Sequence, residues 1–277
     1  MSSVALLEKV RSDMQQLRLR HAISILDTTL QEAAQKDRPA LEVLDRLLEH
    51  ERGERWAWRV ATARKMSGLP ADKTLEAFRF EACPSLDKGK LQELATLRFL
   101  DNRENLIFLG PPGVGKTHLA AALGLKAVEK GRQVLFIGAH ELILKLKTWA
   151  FQGKLLQRWS FFKKLDLLIC DELGYLPVDL DGAHLLFQLV ARRYEAGSVI
   201  ITSNLSFGDW GGFLGSEAVA GAILDRLLHH GMVWNLRGES YRLRDKRRAG
   251  MLPSAQLLQE QNKRRDGENS TERSGEN

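Results

Sequence analysis

Eight consecutive residues, Gly110, Pro111, Pro112, Gly113, Val114, Gly115, Lys116 and Thr117, set glycine, lysine and a hydroxyl at the spacing G-x-x-x-x-G-K-T. Such a segment cradles phosphate. Its glycines let successive backbone N–H groups turn inward, the lysine reaches the β and γ oxygens of a nucleoside triphosphate, and the threonine hydroxyl serves magnesium. His118 follows directly and completes the candidate ATP-binding stretch. Further on, the apolar run Leu167, Leu168, Ile169, Cys170 ends in Asp171 and Glu172. Asp171 there can hold Mg2+ through water, while Glu172 can orient and polarise an attacking water; paired acids predict hydrolysis rather than transfer to an acceptor. Asn204 closes the run Ile200, Ile201, Thr202, Ser203 and either positions that water or is an ordinary turn residue. Arg226, beside Asp225, is either an arginine finger entering the site of an adjacent subunit or an intrachain ion-pair partner.

These residues need a scaffold that brings them to one place. After a linker around Ala71 to Asp87, short β-branched or apolar runs alternate with helical stretches, the pattern of a parallel sheet covered by helices. The expected strands are Leu106 to Leu109, Val134 to Ile137, Asp166 to Cys170, Val199 to Thr202 and Met232 to Leu236, with each motif at a carboxyl end. Upstream, apolar residues recur at helical spacing from Val4 to Arg64, interrupted once at Asp37, Arg38 and Pro39, which predicts two long helices or a small bundle. Trp56 and Trp58, among Arg52, Arg55 and Arg59, read either as packing between helices or as stacking on nucleic acid. The expected class is therefore α/β, a P-loop NTPase with a five-stranded parallel sheet. Residues 1–68 form an all-helical N-terminal domain, 69–250 the ATPase domain, and the polar stretch 251–277 a disordered tail.

Composition narrows the setting. The 277 residues carry 41 Lys and Arg against 35 Asp and Glu, a net charge of +6 that suits a polyanionic partner. The excess gathers between Lys145 and Lys164 and again from Arg237 to Arg248. The sequence has no long uncharged apolar run and no signal-like start, so it is expected in the cytoplasm without a membrane partner. Cys83 and Cys170 are too few for a disulfide framework or a four-ligand zinc site and read as inert thiols.

Four segments together, GPPGVGKTHLA, LLICDELGYLP, ITSN and ILDRL, resemble the IstB family of transposition helper ATPases, AAA+ proteins close to the DnaC helicase loaders. The likeness covers nearly the whole chain, and DELGYLP is its most discriminating piece. It implies an ATPase that assembles as a ring or spiral homo-oligomer on double-stranded DNA, largely without sequence preference, and presents a target to a cognate transposase. The P-loop residues, Lys116, Thr117, Asp171, Glu172, Asn204 and Arg226 take the roles given above; Arg237 or Arg242 would have to stand in for a sensor arginine. In that clade an extra helix after the second strand faces DNA. Here the position holds Glu141 to Lys164, with Lys145, Lys147, Lys154, Arg158, Lys163 and Lys164 interleaved with Trp149, Phe151, Trp159, Phe161 and Phe162. Cations on a helix face otherwise simply solvate it, and aromatics otherwise belong to the core. The rival readings are a DnaC-like replicative helicase loader, a small-molecule kinase, which Glu172 disfavours, and a nucleotide-gated adaptor.

Overall fold

In the computed structural model, residues 3–80, 83–238, 240 and 241 are described. The expected tail at 251–277 and Arg242 lie outside them. Among the described residues two compact units emerge: 3–67 with 128–132, and 68–127 with those from 133 to 241.

The first unit is helical: α1 (Ser3–Gln16), α2 (Arg20–Lys36) and α3 (Ala40–Met66). The break at 37–39 appears where Pro39 begins a helix and Asp37 turns left-handed. A second break, which the residue pattern does not announce, falls at Arg18, whose φ is 58°. The small core joins Ala22 and Leu26 of α2 to Leu47 of α3. Glu51 of α3 is buried beside it, and its carboxylate accepts both the His21 and Ala22 backbone N–H groups at 2.8 Å. These are first-turn donors of α2, which no local side chain caps, so a residue thirty positions away does so. Of the two readings for the tryptophans, packing between helices does not hold for Trp58, which is 69% exposed, while the Trp56 ring, though partly exposed, lies against Gly131.

The second unit opens with α4 (Lys88–Ala95) and α5 (Arg98–Asp101). It then alternates β1 (Asn105–Leu109), α6 (Lys116–Glu129), β2 (Val134–Gly138), α7 (Ala139–Phe151), α8 (Leu155–Lys164), β3 (Leu167–Leu173), α9 (Leu180–Arg193) and β4 (Ser198–Ser203). α10 (Trp210–Leu214), α11 (Glu217–His229) and β5 (Gly231–Asn235) follow. The strands form one parallel sheet in the order β2-β3-β4-β1-β5. β1 and β4 are buried throughout, as strands covered on both faces must be. One core joins these strands to α7 through α11, with Trp210, Phe162, Leu142 and Leu146 at its centre. Arg193, at the end of α9, is buried there and donates to the carbonyls of Phe162, Leu165 and Ser198 at 2.6, 2.9 and 2.8 Å, tying α8 to the start of β4. Burial pushes its guanidinium down to about 10. Among the described residues no helix is long and apolar enough to cross a membrane.

The order matters more than the strand count. β3, β4 and β1 are neighbours, so their carboxyl ends lie side by side at about 4.8 Å per step, and loops leaving all three can reach one ligand.

Candidate active site

The P-loop leaves β1 at Leu109 and enters α6 at Lys116, which points the helix N-terminus at the loop's concave side. Two of its glycines are demanded by space and backbone. Gly110, at φ 145°, passes so close to the end of β5 that a Cβ there would lie 2.2 Å from the Leu236 carbonyl oxygen. Gly115, at φ 101°, would bring a Cβ within 2.8 Å of the Phe78 ring. Lys116 is buried, and its Nζ donates to the carbonyls of Gly110 and Pro111 at 2.6 and 2.8 Å. The ammonium is thus held inside the loop by carbonyls that triphosphate oxygens can replace.

A cavity of about 360 Å³ opens on this loop, lined by Gly113, Val114, Gly115, Lys116, Thr117 and His118 together with Glu172 and Thr202. Seven of the residues picked out from sequence therefore meet on one hollow. Gly110, Pro111, Pro112, Asp171, Asn204 and Arg226 do not line it. Gly110 and Pro111 act through their carbonyls on Lys116, and Asp171 lies buried behind the wall with its Oδ1 accepting the Thr202 hydroxyl at 2.5 Å. Asn204 stands one residue past β4, and its Oδ1 is buried with no hydrogen-bond partner among the described residues. A buried carbonyl oxygen left open is a place for an ordered water.

The expected third strand ended at Cys170, whereas β3 continues to Leu173 and so carries the two acids inside it. Glu172 takes a left-handed φ of 60°. Cys170, just before them, is buried, and burial followed by the nearby Asp171 charge pushes its thiol up to about 12; the inert reading fits.

Four parts of the cavity escaped sequence reasoning: the segment Asp72 to Arg79, Tyr175, Thr202 and Tyr241. The segment Asp72 to Arg79, taken as linker, supplies Asp72, Lys73, Ala77, Phe78 and Arg79 to the wall. His118 fastens it: Nε2 donates to the Thr74 carbonyl at 2.7 Å, and its ring meets Phe78 edge-on at 5.3 Å. Tyr241 closes another side, with the Arg79 guanidinium 5.2 Å from its ring centroid. The available signal was Phe78 and Phe80 with flanking cations in a supposed linker. Thr202 escaped because in sequence it reads as a β-branched strand residue.

The donors suit the expected metal. The Thr117 hydroxyl and the Asp171 carboxylate are hard oxygens of the kind magnesium takes. Among the described residues no cluster of three or more His, Cys, Asp or Glu forms a cage.

Arg226 and the cationic stretch lie elsewhere. The Arg226 guanidinium sits 4.7 Å over the Phe187 ring, and Nη1 donates to the Ala222 carbonyl at 2.9 Å. The expected single element from Glu141 to Lys164 is two helices, α7 and α8, turning at residues 152–154. Lys145 pairs with Glu141 and Lys147 with Asp179, each at 2.6 Å, and Arg158 lies 5.2 Å over Trp149. Lys154, Lys163 and Lys164 are exposed. Trp159 and Phe162 belong to the core, while Phe151, at the corner, is 95% exposed.

Comparison with known proteins places this geometry. A family described as IstB-like ATP binding protein matches residues 12–249. The insertion sequence IS5376 putative ATP-binding protein of Geobacillus stearothermophilus is 50% identical over 206 residues, spanning 74% of this chain and 82% of that one. The insertion sequence IS21 putative ATP-binding protein of Pseudomonas aeruginosa is 44% identical over 239 residues, 86% of this chain and 90% of that one. Among solved structures, AMPPCP-bound DnaA from Aquifex aeolicus superposes with a TM-score of 0.54 at 18% identity, over 70% of this chain and 60% of that one, a likeness of fold.

Proposed function

The chain belongs to the IstB-like ATP binding protein family and is a P-loop AAA+ ATPase, and from that premise we propose that it is the ATP-dependent, DNA-binding helper of an insertion-sequence transposase. It works in the cytoplasm as a homo-oligomer assembled on duplex DNA. The names of relatives up to 50% identical tie such chains to insertion sequences, which favours a transposase over a replicative helicase as partner.

In this reading ATP lies in the hollow over the P-loop. Lys116 exchanges its two loop carbonyls for β and γ oxygens, and the amides at the start of α6 take the phosphates. Thr117 and Asp171 would hold Mg2+, which neutralises charge on the phosphates. Glu172, opening into the same hollow, polarises the attacking water; Asn204, whose buried Oδ1 lies outside the lining, would steady it through an ordered water. Arg226 of an adjacent copy completes the site.

The single observation that carries DNA contact is the α7–α8 pair, where Phe151 projects almost wholly into solvent at the corner with exposed Lys154 close by in sequence, and Lys163 and Lys164 are exposed at the far end of α8. Exposed apolar side chains with cations along the adjoining helix suit a phosphate backbone and the apolar faces it encloses, without base readout. Steady-state ATP hydrolysis with and without random-sequence duplex tests the reading, together with electron microscopy of the same mixtures. Stimulated turnover with rings, spirals or filaments on the duplex is expected. Unchanged turnover with monomers throughout would sink it.

A further inference from the structure

β3 and β4 pair in register up to Cys170 opposite Ile201, and register returns at Leu173 opposite Ser203. Three steps along β3 answer two along β4, so one residue of β3 is extra and the strand bulges at Asp171 and Glu172. A regular strand would send these adjacent acids to opposite faces of the sheet. At the bulge Glu172 lines the triphosphate hollow with a left-handed φ of 60° that a residue with a Cβ disfavours, while Asp171 beside it faces Thr202.

One side chain holds this arrangement. The Glu172 backbone N–H, displaced from the ladder, donates to Thr202 Oγ1 at 2.8 Å. The same hydroxyl spends its proton on Asp171 Oδ1 at 2.5 Å. Thr202 borders the hollow but is itself buried in β4, which shields both bonds. We infer that Thr202 is a positioning residue for ATP hydrolysis, its hydroxyl fixing the bulge that turns Glu172 into the hollow and orienting the Asp171 carboxylate. The inference rests on reading Asp171 and Glu172 as the metal-side and water-polarising acids. The hydroxyl's hydrogen bonds go to Glu172 N–H and Asp171 Oδ1, so it acts through both acids, as outer-shell groups do at other sites.

Thr202→Val keeps the shape and removes both hydrogen bonds, whereas Thr202→Ser keeps the hydroxyl. The valine variant should lose about 10- to 100-fold in kcat and need more Mg2+ for half-maximal rate. Its affinity for a fluorescent ATP analogue should stay near wild type, because Lys116 and the loop amides are untouched. Serine should restore most of kcat. Wild-type kcat and magnesium dependence in a folded Val variant, or a Ser variant as slow as Val, would overturn the inference. Thr202→Ala, which admits a water in the vacated space, is measured beside them with melting temperatures. If Val and Ala both fail to fold while Ser folds, the hydroxyl belongs to the fold and the positioning role is wrong. Glu172→Gln separates the premise: wild-type turnover there would fault the reading of Glu172, whereas a slow Gln variant with a fast Val variant would fault Thr202 alone.

Discussion

Lys116 holds its charge in place with carbonyls of its own loop, so the pocket keeps a buried ammonium ready for phosphate. Lys116→Ala removes the one cation on the loop, and loss of saturable binding of a fluorescent ATP analogue is expected. Glu172→Gln keeps shape and hydrogen bonding but takes away the base; ATP binding should survive while turnover drops about 100-fold or more, and assembled complexes should accumulate on duplex when followed by light scattering. A Gln variant that turns over normally would move the base elsewhere. At this scale the P-loop was legible because its spacing is dictated by phosphate geometry, and Asp171 and Glu172 stood out as adjacent acids closing an apolar run. Thr202 was not, because a threonine in a strand looks the same whether its hydroxyl meets the strand's own backbone or an acid across a bulge.

Elements owe their positions to a few long-range polar ties. Glu51 of α3 caps α2, and Arg55 pairs with it at 2.6 Å. Burial alone would raise its carboxyl, but the Ala22 and His21 amides and the Arg55 guanidinium together hold it below its ordinary 4.5. The sign follows: the stabilisation is present above that ordinary value and is lost as pH falls through the lowered one. Glu51→Gln should therefore cost about 1 kcal/mol at neutral pH, and its deficit against wild type in urea melts followed by helical circular dichroism should vanish toward acid pH; a deficit independent of pH would contradict the cap. The α7–α8 pair gives another test. Replacing Lys154 and Lys163 by alanine should lower the slope of log affinity for duplex against log salt by about 0.9 for each phosphate no longer neutralised. Phe151→Ala should weaken duplex binding without moving the melting temperature, since the ring has almost no packing to lose. The sequence announced these cations and aromatics together, and packing sorted them: Trp159 and Phe162 turn inward to the core, while Phe151 remains outside.

The whole molecule sets Arg226 away from its own hollow, stacked on Phe187 and bonded to its own helix. In the proposed assembly the guanidinium leaves that stack to reach a neighbour's γ-phosphate. Arg226→Lys should keep ATP binding and helix packing yet reduce duplex-stimulated turnover about 1000-fold. Mixing it with Lys116→Ala should restore part of the turnover, since each copy supplies what the other lacks. Failure of the mixture to recover any activity, or normal turnover by Arg226→Lys alone, would confine the residue to an intrachain role.

The chain's residue pattern by itself determined the alternating strands and helices, the phosphate loop and the paired acids, because local periodicity and phosphate recognition act over a few residues at a time. Only tertiary structure decided that β4 lies between β1 and β3 and brings Thr202 against both acids. Tertiary structure also made Asp72 to Arg79 a wall of the hollow and gave a cap on α2 to a residue of α3. Those outcomes depend on which surfaces meet across long stretches of chain, and such meetings are a property of packing that no local spacing encodes.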